Sequence, residues 1–119
     1  MNRWNAGMIS VFLLLMLWPQ AASAHTGLSS SNPENNETVA ETLQVIDLTF
    51  NTAIEPASRF EVIDASGTVY PVADMKVNRS RMSGTMEEPL PNGVYTVNWK
   101  IIGQDGHSVK GAYTFKVEI

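Results

Sequence analysis

His25 and His107 are the only histidines in the chain, and there is no cysteine. With thiolates missing, any metal held by side chains must use nitrogen, carboxylate oxygen or thioether sulfur. His25 stands directly after Ala22-Ser23-Ala24, a small-x-small tripeptide of the kind signal peptidase cuts. Cleavage after Ala24 would make His25 the first residue, offering a metal both its α-amine and its own Nδ1 in one six-membered chelate ring. The amine titrates near about 8 and the imidazole near about 6.5, so a metal displaces their protons at neutral pH with little cost. The same histidine could equally follow the cut by coincidence. His107 closes Gly103-Gln104-Asp105-Gly106-His107, which holds the only Asp-Gly pair in the chain. Asp105 and His107 lie two residues apart on one bend, so a carboxylate and an imidazole can share its side. Asp-Gly is also a strong hairpin-turn signal with an exposed histidine after it, and the residues alone leave both readings open.

The elements that must position these residues read as strands. Met8 to Trp18 is an apolar run preceded by Arg3 and followed by the cleavage tripeptide. It is shorter than the roughly 18 to 20 residues a membrane-spanning helix needs, so residues 1–24 are expected to be a cleaved signal peptide and residues 25–119 one domain. In the domain, Ile46, Leu48 and Phe50 share one face of Leu43–Phe50, and Phe60 pairs with Val62 in Phe60–Asp64. Tyr95, Val97, Trp99 and Ile101 alternate with polar neighbours, as do Tyr113, Phe115, Val117 and Ile119. Asp64-Ala65-Ser66-Gly67 and Pro91-Asn92-Gly93 mark turns. Thr68–Val72 contains Pro71, which restricts it to a sheet edge. Asn32–Thr42 is polar, reads as a surface connection, and has room for one helical turn. The expected fold is all-β, an immunoglobulin-like Greek-key sandwich of about seven strands, without the cysteine pair of antibody domains.

Twelve acidic against eight basic side chains give a net charge of −4. A nucleic-acid partner is not expected, because such surfaces are basic. Without disulfides the core must hold the domain unaided, although export would permit them.

Several segments together resemble the CopC copper-binding proteins over nearly the whole domain. They are His25-Thr26-Gly27-Leu28-Ser29-Ser30-Ser31-Asn32-Pro33, Val45-Ile46-Asp47-Leu48-Thr49-Phe50, Pro89-Leu90-Pro91-Asn92-Gly93-Val94-Tyr95-Thr96-Val97-Asn98-Trp99 and Asp105-Gly106-His107-Ser108-Val109-Lys110-Gly111. The resemblance implies one copper(II) ion held by the amine and imidazole of His25, Asp105 and His107. It also implies a periplasmic protein of copper homeostasis or resistance, not embedded in the membrane after cleavage, passing copper to an inner-membrane importer resembling CopD. Three nitrogens and one carboxylate oxygen suit tetragonal copper(II), which tops the Irving–Williams order. Some CopC relatives carry a methionine-rich copper(I) loop after the Leu-Thr-Phe strand, whereas Asn51–Pro56 here has no methionine. Beyond residue 24 the methionines are Met75, Met82 and Met86, and a thioether pair of Met82 and Met86 competes with a plain core-filling role.

Two other functions use the same residues. A terminal histidine with a second imidazole resembles the histidine brace of the lytic polysaccharide monooxygenases, but a carboxylate ligand would fill a position that oxygen-activating copper keeps open. A metal-free sandwich for adhesion or assembly would need Asp105-Gly106-His107 only as a turn. The expected role is binding without catalysis.

Overall fold

The computed structural model describes residues 27–119. The expected signal peptide and His25 lie outside these residues. Nine strands follow one another: β1 (Leu28–Asn32), β2 (Thr38–Val39), β3 (Val45–Phe50), β4 (Arg59–Asp64), β5 (Val69–Tyr70), β6 (Val72–Asn78), β7 (Arg81–Met86), β8 (Gly93–Ile102) and β9 (Ser108–Val117). They form a four-stranded sheet in the order β1-β3-β7-β6 and a five-stranded sheet in the order β2-β9-β8-β4-β5. With β1, β3, β6 and β7 as strands A, B, D and E, and β4, β8 and β9 as C, F and G, these orders are the immunoglobulin arrangement. Two short strands raise the count above seven. β2 carries the chain across to pair in parallel with β9, and β5 extends the opposite edge beside β4.

Alternation builds the core as the sequence implies, since every second side chain of a strand faces the partner sheet. Ile46, Leu48 and Phe50 of β3 pack against Phe60 and Val62 of β4 and against Tyr95, Val97, Trp99 and Ile101 of β8. β9 contributes Tyr113, Phe115 and Val117, but Ile119 lies beyond its end and is 65% exposed. Rings lock this interior edge to face: Phe50 meets Trp99 at 5.2 Å between centroids, and Tyr70 meets Tyr95 at 5.4 Å. Met82 and Met86 of β7 are buried in the same cluster, so both thioethers fill core volume.

Two segments depart from expectation. Thr68–Val72 is not one strand: Pro71 falls between β5 and β6, and the chain changes sheets there because proline cannot continue the ladder. Both pieces lie at sheet edges, as a proline-bearing segment must. Asn32–Thr42 carries no helical turn but supplies β2, whose neighbourhood is tied to β9 by Lys116 N–H to Glu37 O at 2.9 Å and Glu118 N–H to Val39 O at 2.9 Å. Its alternation is too short to register as a strand pattern. Every regular element among the described residues is a strand, and none is a helix long and apolar enough to cross a membrane.

Candidate metal centre

The hairpin between β8 and β9 is a five-residue loop, with Ile102 opposite Ser108. Gly103 N–H bonds to His107 O at 2.9 Å and Gly106 N–H to Gly103 O at 2.9 Å, closing the bend. Gly106 has φ 87°, a left-handed conformation that a side chain would strain. Asp105 makes an Asx turn, its Oδ1 accepting the backbone N–H of His107 at 3.0 Å. Its other oxygen, Oδ2, lies 2.9 Å from His107 Nδ1.

Turn chemistry therefore brings together the two loop residues singled out from sequence. Their side chains are 69% exposed for Asp105 and 84% for His107, so an incoming ion reaches both without any part of the fold opening. Their mutual hydrogen bond holds the Asp105 carboxyl below its ordinary pKa and His107 above its own, each shift reinforced by attraction between the charges. Each shift favours the charged form of its group, and a metal binding the imidazole would displace any proton it holds. Each Asp105 oxygen keeps a further lone pair, and Nε2 of His107 has no partner among the described residues.

Four segments far apart in sequence meet at this end of the sandwich. β1 starts here, and Gly27 is clamped from both sides by Asn51: its carbonyl accepts Asn51 N–H at 3.0 Å and its N–H donates to Asn51 Oδ1 at 2.9 Å. The connection from β3 to β4 then reaches sideways. Phe50 N–H bonds Ser80 O at 2.8 Å, Ile54 N–H bonds Arg79 O at 2.9 Å, and Glu55 N–H bonds Ile102 O at 2.8 Å. Ile54 also bridges Gly103, the first loop residue. Ser58, fully buried, accepts the Ile102 N–H at 3.0 Å on its hydroxyl and so fixes the root of the hairpin. The first described residue and the Asp105–His107 pair thus share one end. Asn51 and Ser58 escaped the sequence reading because a lone polar residue in a loop carries no signal of what it will hold.

His25 itself lies outside the described residues, two positions before Gly27. Among the described residues no three histidine, aspartate or glutamate side chains gather closely enough to hold a metal, so Asp105 and His107 make at most half of a four-ligand site. Trp99 leads into the loop on β8. Its indole lies over Gly111, where an added Cβ would strike the ring, and its buried Nε1 has no acceptor among the described residues.

Fold and hairpin together define an immunoglobulin-like sandwich that presents an exposed aspartate–histidine pair beside its first strand. The family model for the CopC domain matches residues 28–118, and the chain belongs to the CopC family. It is similar to copper resistance protein C of Escherichia coli, 31% identical over 82% of this chain and 85% of that one. It is 24% identical to the copper transport protein CutJ of Bacillus subtilis over 98% of this chain, which spans only 22% of that protein's length. Among solved structures, CopC from Methylosinus trichosporium OB3b superposes with a TM-score of 0.71 at 26% identity, covering 79% of this chain and 94% of that one. PcoC, a methionine-rich copper resistance protein from E. coli, superposes at 0.68 with 30% identity, covering 80% and 100%.

Proposed function

We propose that the chain is an exported copper(II)-binding protein that sequesters or carries copper in the periplasm. The metal would be held by the α-amine and imidazole of a mature N-terminal His25 together with Asp105 and His107. One observation supports this above the others: the Asp105–His107 pair is preformed, exposed, and at the end of the sandwich where Gly27 is clamped. A mature terminus at His25 would have two residues of chain, at most about 7 Å, with which to reach the loop from Gly27. An Asp–His pair alone is an ordinary weak site. Adding a chelating amine and imidazole gives the three-nitrogen, one-oxygen set that favours copper(II) over zinc. The family's copper-resistance and copper-transport members support the same cargo, and delivery to a CopD-like membrane importer fits a carrier with an open site. The reading assigns binding and transfer, not turnover.

The test is mass spectrometry of the exported protein joined to copper(II) titration against a competing chelator, followed by the fluorescence of Trp99. A polypeptide beginning at His25, one copper per chain and quenching of Trp99 are expected. His25→Ala, His107→Ala and one extra alanine before His25 should each weaken binding by more than about tenfold, the scale on which lost ligand interactions act. Equal affinity in all four proteins, or a different mature terminus, would overturn the assignment.

A further inference from the structure

On the solvent face of the five-stranded sheet, register sets three cations side by side. Arg59 of β4 lies opposite Lys100 of β8, and Lys100 lies opposite Lys110 of β9. Side chains directly opposite one another sit about 5 Å apart at Cβ, and like charges so placed destabilise a sheet. All three residues are exposed. The Arg59 guanidinium donates to the carbonyls of Ser58 at 2.9 Å and Pro56 at 3.3 Å, while Lys100 and Lys110 have no carboxylate within ion-pair distance among the described residues. The three cations line a shallow cleft with Asn98 and one carboxylate, Glu61, which leaves the cleft with an excess of positive charge.

This row is out of character with the rest of the chain, which is acidic overall. The strand directions explain where the charges go. Arg59, Arg79, Arg81, Lys100 and Lys110 all fall toward the end that carries the Asp105–His107 hairpin, where the acidic residues among those described are Glu55, Glu61, Asp105 and Asp47, the last ion-paired to Arg81 at 2.9 Å. Glu41, Asp64, Glu87, Glu88 and Glu118 gather at the far end. Lys110 lies three residues after His107 and Lys100 two before Ile102, so the cations cross the root of the hairpin. A free divalent cation approaching the loop is repelled by these fixed charges within a Debye length of about 8 Å, whereas an acidic protein is drawn in. The arrangement suits exchange with another protein better than capture of the bare ion.

We infer that the cleft bordered by Arg59, Lys100 and Lys110 docks an extended acidic segment of a partner protein, bringing that partner against the Asp105–His107 loop. A concave cleft in a sheet face fits a peptide chain, while a flat anionic membrane would need the cations on a protruding surface. What the partner exchanges rests on the copper reading; the docking itself does not. Decaglutamate serves as the probe, added to the metal-free protein at about 20 mM ionic strength, where screening is weak. Amide resonances around Arg59, Lys100 and Lys110 should shift, and K100E/K110E should weaken binding by about tenfold or more, while E87Q/E88Q should not. His107→Ala should bind the peptide as the unsubstituted protein does, so a failed metal site leaves this result readable. Equal affinity in K100E/K110E, shifts spread evenly over the surface, or binding to phosphatidylglycerol vesicles without binding to the peptide would overturn the proposal.

Discussion

His107 and Met82 stand at opposite extremes of exposure, and that difference decides what a substitution at each one reads. His107 is 84% exposed, so His107→Ala should leave the urea midpoint within the range of a surface change, about 0.5 kcal/mol, while removing a proposed copper ligand. Met82 is fully buried opposite Leu48 and Val77. Met82→Ala should cost about 2 to 5 kcal/mol, because a cavity remains, whereas Met82→Leu conserves volume and should cost less than about 1.5 kcal/mol. Neither should change the number of copper ions bound; a lost ion in Met82→Leu would show that the thioether is a ligand after all. That Asp105 and His107 share one bend was legible from sequence because an Asx turn is local chemistry, complete within three residues. Ser58 was not, since the amide it accepts belongs to Ile102, 44 positions away.

At the scale of elements, β8 and β9 pair over ten consecutive positions, and Trp99 opposite Gly111 is the closest fit between them. Gly111→Ala would push a Cβ into the indole, and overpacking of this kind costs about 1 to 3 kcal/mol. A lower melting temperature with a shifted Trp99 emission is the expected result, and an unchanged spectrum would show that the ring moves freely. The turn between β4 and β5 carries the pH dependence. Asp64 accepts the Ser66 hydroxyl at 2.7 Å, the Thr68 N–H at 3.0 Å and the Tyr70 hydroxyl at 3.0 Å, and these bonds lower its pKa from 3.8 to about 2. A folded value below the unfolded one stabilises the domain above about pH 4, and that stabilisation is lost as pH falls toward 2. Asp64→Asn should therefore flatten the urea midpoint across that window; a slope equal to the parent's would assign it to other carboxylates. β3, β4, β8 and β9 could be read from sequence because each holds an unbroken alternating run of large apolar residues: Ile46, Leu48 and Phe50; Phe60 and Val62; Tyr95, Val97, Trp99 and Ile101; Tyr113, Phe115 and Val117. β7 was hidden because its inward series is Met82, Gly84 and Met86, with a glycine where the pattern wants bulk: a Cβ there would strike Val72 and Phe60. β1 was hidden because Leu28-Ser29-Ser30-Ser31-Asn32 is nearly all polar.

Across the two sheets, the central strands β3, β7, β9, β8 and β4 each have neighbours on both sides, while β2 and β5 are two-residue edges. Hydrogen exchange should follow that order, with β8 amides slowest and the ends of β2 and β5 opening first; uniform exchange would mean that the sheets open as one unit. Cysteine is absent, so these rates should be indifferent to reductant. The connection from Phe50 to Ser58 bears most on how such a protein can change over time. It is attached to the β6–β7 turn and to the hairpin root chiefly through peptide groups, at Phe50, Ile54 and Glu55. Main-chain attachment is indifferent to side-chain identity, so Ala53 and Glu55 can be exchanged in descent while the mount holds its shape. A lineage could load that ledge with thioethers or strip them away, retuning which oxidation state of a metal it attracts, without unseating the loop beside it.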